Sequence, residues 1–129
     1  MPLFEPVLEA LNARDVRYVV VGGVAVVLHG HARLTADLDL AVDLSPGQAS
    51  KAIDALMDLA DPMLSVDLFV DNPVDFGELW ARSEAVTLAR TTIRIAAIPD
   101  LIRLKRLANR PQDALDIEAL EAIMEARDE

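Results

Sequence analysis

The chain has 129 residues, 53% of them hydrophobic, so we expect one compact domain over residues 1–129 with a substantial core. It has no cysteine, which excludes disulfides and thiolate metal sites, and its formal net charge of -10 argues against nonspecific nucleic-acid binding by the whole surface. The N-terminus lacks the order of a signal peptide and the apolar run 16–28 is too short and too interrupted to span a bilayer, so we expect a cytoplasmic protein with no membrane contact.

The first part of the sequence predicts a helix, a strand, a second helix and a second strand. Apolar residues recur at helical spacing over 3–14, which predicts the first helix. The long apolar run that follows is broken by two glycines, so we place a strand over 17–21 and a short helix over 23–29. The second strand spans 37–42.

Two aspartates lie one residue apart on this second strand. Because side chains alternate between the two faces of a strand, Asp37 and Asp39 project to the same side. Two such carboxylates repel each other unless a cation or strong hydrogen bonding offsets their charge. Mg²⁺ prefers one or two carboxylates completed by substrate phosphates, so the pair predicts a metal site.

The junction between the first strand and the second helix is Gly22-Gly23. Glycines at a strand-to-helix junction let backbone N–H groups approach a phosphate at the helix N-terminus. The spacing fits neither a dinucleotide-binding motif nor a P-loop, because the next glycine is Gly30 and no Gly-Lys-Ser/Thr follows. On the connection to the second strand, two roles stay open for Arg33: contact with Asp37 or a phosphate, or an exposed loop arginine.

A third helix is predicted to begin at Ser45. Ser45, Pro46 and Gln48 have the pattern of a capping box, with proline at the first helical position. The helical spacing that follows predicts a buried apolar stripe made of Ile53, Leu56, Met57 and Ala60.

A third strand, predicted over 64–70, carries another carboxylate. Asp67 shares one face of this strand with Phe69, so it is a third candidate metal ligand, and the alternative is an exposed residue on an edge strand. A short helix over 75–82 and a hairpin made of 86–88 and 92–96 follow. Two further helices begin near Pro99 and after Pro111.

The helix after Pro99 has a lysine in the middle of its apolar face, which is formed by Ile98, Leu101, Ile102 and Ala108. Because a lysine is rarely buried without a partner, Lys105 is predicted to meet a carboxylate or a ligand phosphate. Asp113 and Asp116, on the apolar side of the last helix, are the expected acids. The alternative for both is that acids in a first turn stabilise the helix dipole.

The basic residues are distributed unevenly along the chain. Residues 82–110 carry seven basic and two acidic residues, a local charge of +5. Two explanations stay open: a solvated basic face that balances acidic neighbours, or a surface for an anionic partner.

Together these residues resemble the nucleotidyltransferase superfamily related to DNA polymerase beta. The resemblance rests on the apolar strand before Gly22-Gly23, on Asp37-Leu38-Asp39 after thirteen intervening residues, and on Asp67 in a later strand. The segment through Leu28-His29-Gly30 and Arg33-Leu34-Thr35 is similar to the small bacterial branch with AbiEii-type toxins and minimal nucleotidyltransferases. The likeness covers about 16–120, although minimal nucleotidyltransferases often have Gly-Ser at the glycine pair and AbiEii-type toxins are usually longer.

The resemblance implies an α/β (α+β) nucleotidyltransferase fold, with a mixed β-sheet flanked by helices. It also implies one or two Mg²⁺ (or Mn²⁺) ions held by Asp37, Asp39 and Asp67, with Asp67 helping to deprotonate an acceptor hydroxyl. Lys105 would neutralise phosphate charge as a further catalytic residue. The nucleotide site would include Gly22, Gly23, Arg33, Thr35, Asp113 and Asp116.

The activity implied is transfer of a nucleoside monophosphate from a nucleoside triphosphate to an acceptor hydroxyl. The acceptor is an RNA end, a protein or a small molecule, and the setting is a toxin–antitoxin pair or a homodimer. The rival hypothesis is a non-catalytic nucleotide-binding or antitoxin-like module that acts by pairing with another protein.

Overall fold

A computed structural model of the chain describes residues 4–35, 37–43, 45, 47–57, 65–69 and 73–128. The elements, in chain order, are α1 (Glu5–Ala13), β1 (Tyr18–Val21), α2 (Gly22–His29), β2 (Asp37–Val42), α3 (Gln48–Met57), β3 (Ser65–Phe69), α4 (Phe76–Arg82), β4 (Glu84–Thr87), β5 (Thr92–Ile95), α5 (Ile98–Ala108) and α6 (Pro111–Asp128). This order confirms the predicted α/β class. The predicted ends at Leu3, Leu64 and Val70 lie outside the described residues.

One mixed sheet contains the five strands in the order β3-β2-β1-β5-β4. β1 pairs antiparallel with β2, so that Val21 lies opposite Asp39. β2 pairs parallel with β3, so that Asp39 lies opposite Asp67. The pairing therefore brings the glycine junction after β1 and two of the predicted acids to one place.

The core is built around β1 and α2. All four residues of β1 are buried, as expected for a strand covered on both faces. α2 is buried at Val24, Ala25 and Val26 and contacts β1, β2, α5 and α6. A helix enclosed in this way needs no polar face, which explains why its sequence is apolar almost all round.

The predicted buried stripe of α3 is wrong at two positions. Ile53 is 50% exposed and Met57 is 73% exposed, whereas the small residues Ala52 and Ala55 are fully buried. α3 packs against α1, and alanines let two helices approach closely. Leu56 is half-buried, and Ala60 lies outside the described residues.

The predicted capping box of α3 does not form. The Ser45 hydroxyl donates to Asp43 Oδ1 at 2.8 Å, and Gln48 Oε1 accepts the backbone N–H of Arg17 at 2.7 Å. Ser45 thus bonds to a residue two positions earlier and Gln48 to a distant residue just before β1, instead of to the helix end. Pro46 lies outside the described residues.

The predicted face of α5 is confirmed apart from its end. Ile98, Leu101 and Ile102 are buried, but Ala108 is exposed because it lies in the last turn, beside an open cavity.

In the part of the chain that the structure describes, no helix is long and apolar enough to cross a membrane.

Candidate active site

Asp39 is the acid around which the site is organised. Its carboxyl group is hydrogen-bonded to that of Asp67, its neighbour across the parallel β2–β3 pairing. Burial raises the pKa of Asp39 to about 6; the hydrogen bond to Asp67 and the negative charges of Asp67 and Asp37 act in the same direction, and Arg110 opposes them. Two carboxylates this close repel each other, and a bound cation would offset that repulsion.

Gly22 gives the chain a close approach to Asp39. Its φ of +67° lies in the left-handed region, and a Cβ built on it would collide with the Asp39 carboxylate, 2.9 Å from Cγ. Gly23 meets the loop on its other side, where an added Cβ would lie 2.8 Å from Thr35 Oγ1 and 3.0 Å from Arg33 Nη2. The glycine pair is therefore packed between Asp39 on β2 and the loop that carries Arg33 and Thr35.

The N-terminus of α2 begins at this glycine pair. No side chain caps it, since Val21 occupies the N-cap position. The first N–H groups of a helix have no partner within the helix, and they carry the positive end of its dipole. A phosphate placed here would bind beside the carboxyl groups of Asp39 and Asp67.

A second set of charges forms a chain of alternating sign next to the glycine pair. Arg33 Nη2 donates to Asp116 Oδ2 at 3.0 Å, and Lys105 Nζ lies 2.9 Å from the same atom. Lys105 Nζ also lies 3.4 Å from Asp113 Oδ1, and Arg110 Nε donates to Asp113 Oδ2 at 2.9 Å. These contacts confirm that Lys105 meets the two expected acids. Arg33, whose role the sequence left open between Asp37, a phosphate and an exposed position, pairs with Asp116.

Both acids of this chain of charges are held ionised. Burial alone would raise the pKa of Asp113, but hydrogen bonds from Arg110 and the charges of Lys105 and Arg110 bring it below its ordinary value. The pKa of Asp116 is also lowered, because hydrogen bonds from Lys105, Gln112 and Arg33 outweigh burial. The cluster therefore contains three cations and two anions.

A cavity of about 420 Å³ joins the two sets of charges. Its polar lining comes from Gly22, Asp39, Lys105 and Arg110. The remaining lining is apolar and consists of Val21, Phe69, Pro73, Leu101, Leu104, Leu107 and Ala108. Apolar walls with a few convergent charged groups are typical of a small-molecule site.

The donor set fits a hard cation only in combination with a ligand. Within the described ranges, no three carboxylate or imidazole groups are arranged to hold a metal ion by themselves. The Asp39–Asp67 pair supplies two carboxylates, and Mg²⁺ is usually bound by one or two carboxylates together with substrate phosphates. The chemistry of the pair is thus compatible with Mg²⁺ bound as a nucleotide complex.

Comparison with known proteins identifies the family. The family model described as "Nucleotidyltransferase of unknown function (DUF6036)" matches residues 2–127. The chain belongs to this family. The nucleotidyltransferase is also similar to the solved structure "Crystal Structure of ANT(2")-Ia in complex with adenylyl-2"-tobramycin", with a TM-score of 0.62 and 16% identity over 98% of this chain and 90% of that chain. At this identity the likeness shows the fold alone, and no curated protein matches the sequence significantly.

The nucleotidyltransferase has one charged residue in the cavity lining, Arg110, that the sequence alone did not assign to the site. The sequence places Arg110 only at the end of the basic stretch 82–110, whereas in the structure it lies between α5 and α6, just before Pro111. Asp113, three residues later, accepts its backbone N–H at 3.0 Å. An arginine before a proline with an acid three positions on is the signal that could have located it.

Most of the charge in the basic stretch 82–110 is neutralised. Five of its seven basic side chains pair with acids: Arg82, Arg90, Lys105, Arg106 and Arg110. The nucleotidyltransferase therefore does not present this stretch as a bare cationic surface. The pairing favours the explanation in which the stretch balances acidic neighbours.

Proposed function

We propose that this protein transfers a nucleoside monophosphate from a nucleoside triphosphate to an acceptor hydroxyl, with Mg²⁺ as cofactor. The observation that carries the proposal is the contact between Gly22 and Asp39, which puts an uncapped helix N-terminus directly beside a carboxyl pair. A phosphate bound by the N–H groups of α2 would have a metal-binding group next to it. Neither feature alone would suggest this chemistry.

Asp37, Asp39 and Asp67 would hold one or two Mg²⁺ or Mn²⁺ ions. When bound, such ions stabilise the charge on the attacking and leaving oxygens of an in-line displacement. The protein's own groups would do the rest: the N–H groups at Gly22 and Gly23 bind phosphate oxygens, and an Asp67 carboxylate oxygen takes the proton of the acceptor hydroxyl. The acceptor oxygen then forms a bond to the α-phosphorus as the bond to the β-phosphate oxygen breaks, and pyrophosphate leaves.

The alternating charges would support the same step. The Lys105 ammonium has three N–H groups and faces two acids, so one N–H stays available towards the cavity that it lines. It would neutralise phosphate charge there. Arg33 and Thr35 contact the Gly23 side of the turn and would fix its position for the nucleotide, while Asp113 and Asp116 hold the cations in place.

The resemblance to AbiEii-type toxins extends the proposal to a toxin–antitoxin pair, with an RNA end, a partner protein or a small molecule as acceptor. Because most basic side chains of the stretch 82–110 form ion pairs with acids, the structure gives no support to an RNA-binding surface along it. The second candidate function is a non-catalytic nucleotide-binding or antitoxin-like module. It is favoured by the finding that, among the described residues, no group of three acids forms a metal site alone.

The test is transfer of label from each of the four α-labelled triphosphates, with Mg²⁺, to RNA, protein or small molecules of a cell extract. Asp39→Asn should abolish labelling. Asp43→Asn is the matched control, since Asp43 follows the same strand but pairs with Arg17 outside the cavity and should leave labelling intact. Sensitivity to ribonuclease or to protease identifies the acceptor, and RNA labelling should weaken as salt rises. Absence of label under all four triphosphates would favour the binding module.

A further inference from the structure

Arg110 is the most exposed of the charged side chains that line the cavity. Its side chain is 70% exposed, whereas that of Lys105, the other cation of the lining, is 5% exposed. Exposed arginines usually sample many rotamers, and fixing one costs side-chain entropy. Hydrogen bonds to one acid restrain the orientation of this arginine.

Asp113 fixes the guanidinium with a two-pronged contact. Arg110 Nε donates to Oδ2 at 2.9 Å and Nη2 donates to Oδ1 at 3.2 Å, while the backbone N–H of Arg110 donates to Oδ2 at 3.0 Å. The backbone is also restrained on both sides, because Asn109 adopts a left-handed conformation and Pro111 has a fixed φ. A guanidinium has five N–H groups, so Asp113 leaves three of them for another ligand.

The balance of charge in the cluster points to the same residue. Arg33, Lys105 and Arg110 share two acids, so the cluster has one surplus positive charge. Lys105 lies within 3.4 Å of both acids, whereas Arg110 contacts Asp113 only. Arg33 likewise contacts one acid, Asp116, but it does not line the cavity. Arg110 is therefore the cation of the lining that has a single acidic partner in the cluster.

We propose that Arg110 binds the terminal phosphates of the triphosphate, and then the pyrophosphate that leaves, and that Asp113 is the residue that positions it. This inference rests on the proposed function. A planar guanidinium matches two phosphate oxygens at once, and the terminal phosphates carry most of the negative charge of a triphosphate. The N–H groups of Gly22 and Gly23 would serve the other end of the same phosphate chain.

The experiment measures binding by isothermal titration calorimetry, with Mg²⁺, for the four nucleoside triphosphates, the matching monophosphates and inorganic pyrophosphate. Arg110→Met should weaken triphosphate and pyrophosphate binding about 10- to 100-fold, the range for losing a hydrogen bond between charged groups. Monophosphate binding should change less than about twofold, because in the proposed arrangement the α-phosphate lies at Gly22 and Gly23 and only the terminal phosphates meet Arg110. Arg110→Lys keeps the charge but loses the planar guanidinium, so its affinity for triphosphate should lie between those of the wild type and Arg110→Met.

Arg106→Met is the matched control. Arg106 has a similar exposure of 66% and pairs with one acid, Glu121, but does not line the cavity. It should bind all three ligand classes like the wild type. Asp113→Asn should reproduce the selective loss of triphosphate binding, and equal losses for triphosphate and monophosphate would instead mean that Asp113 only supports the fold.

The outcomes separate the two levels of the proposal. If the wild type binds a triphosphate and Arg110→Met binds it equally well, Arg110 has no role and the proposed function stands. If the wild type binds no triphosphate and no pyrophosphate, the proposed function fails and this inference fails with it. Selective loss in Arg110→Met with normal behaviour of Arg106→Met supports the inference.

Discussion

Gly22→Ala should damage both stability and nucleotide binding. A residue with a Cβ in the left-handed region costs about 1–2 kcal/mol, and forcing an extra methyl into a packed place costs typically about 1–3 kcal/mol more. The second contribution applies here because the new Cβ would collide with Asp39. We therefore expect a loss of about 2–5 kcal/mol in the free energy of unfolding, measured by urea denaturation. Asp39 would have to move, so the binding of Mg²⁺ with nucleotide should also be lost.

Two further variants separate the backbone contribution from the collision. Gly47 has a φ of +90° and nothing within 4 Å of an added Cβ, so Gly47→Ala should show the backbone cost alone. Removing the obstacle in Gly22→Ala/Asp39→Ala should return the cost of the alanine to that lower value, because contacting residues are not additive. If Gly22→Ala costs the same with and without the Asp39 side chain, the close approach is not what this glycine provides.

Three other predictions concern the charges. Lys105→Met should lower the free energy of unfolding by about 3 kcal/mol at pH 7. This is the lower end of the range for breaking a buried pair, because Arg110 and Arg33 still hold the two acids. Nucleotide transfer should fall while urea denaturation still shows a cooperative fold, and a stability loss below about 1 kcal/mol would contradict the reasoning. The pKa of Asp39 is raised to about 6 in the folded protein, so the metal-free folded state binds a proton that the unfolded state releases. The contribution of this carboxyl to folding therefore becomes less favourable as pH rises from about 4 to about 6. Asp39→Asn should gain stability relative to the wild type over that window, and a stability difference that does not change with pH would refute the shift. Mg²⁺ with a bound triphosphate should raise the melting temperature of the wild type but not of Asp37→Ala/Asp39→Ala, and a shift that survives in the double variant would place the site elsewhere.

The features that could be predicted from sequence are those set by neighbouring residues. Asp37 and Asp39 share a face because of strand alternation, and Lys105 needed an acid because a buried charge needs a partner. Arg110 could not be told apart from Arg103 and Arg106 in this way. Its contact with the cavity depends on the corner between α5 and α6, which only the tertiary structure defines.

The face of α3 shows a second limit of the sequence pattern. Ile53 and Met57 are larger and more hydrophobic than Ala52 and Ala55, so periodicity weighted by hydrophobicity selects the wrong side of the helix. Close packing against α1 selects the small side chains instead. The same competition does not arise in α2, because a helix buried on all sides offers no face to choose.

The start of α6 is anchored by charge more than by apolar packing. Its fully buried residues, among those described, are Asp113, Asp116 and Leu120, so two of the three are acids. Their partners lie on the loop at Arg33, on α5 at Lys105 and at the helix corner at Arg110. Paired charges that are buried are screened much less by salt than exposed ones. Added salt should therefore weaken the contact of a phosphate with the exposed Arg110 while leaving the Arg33–Asp116–Lys105 connection, and with it the position of Gly23, largely unchanged.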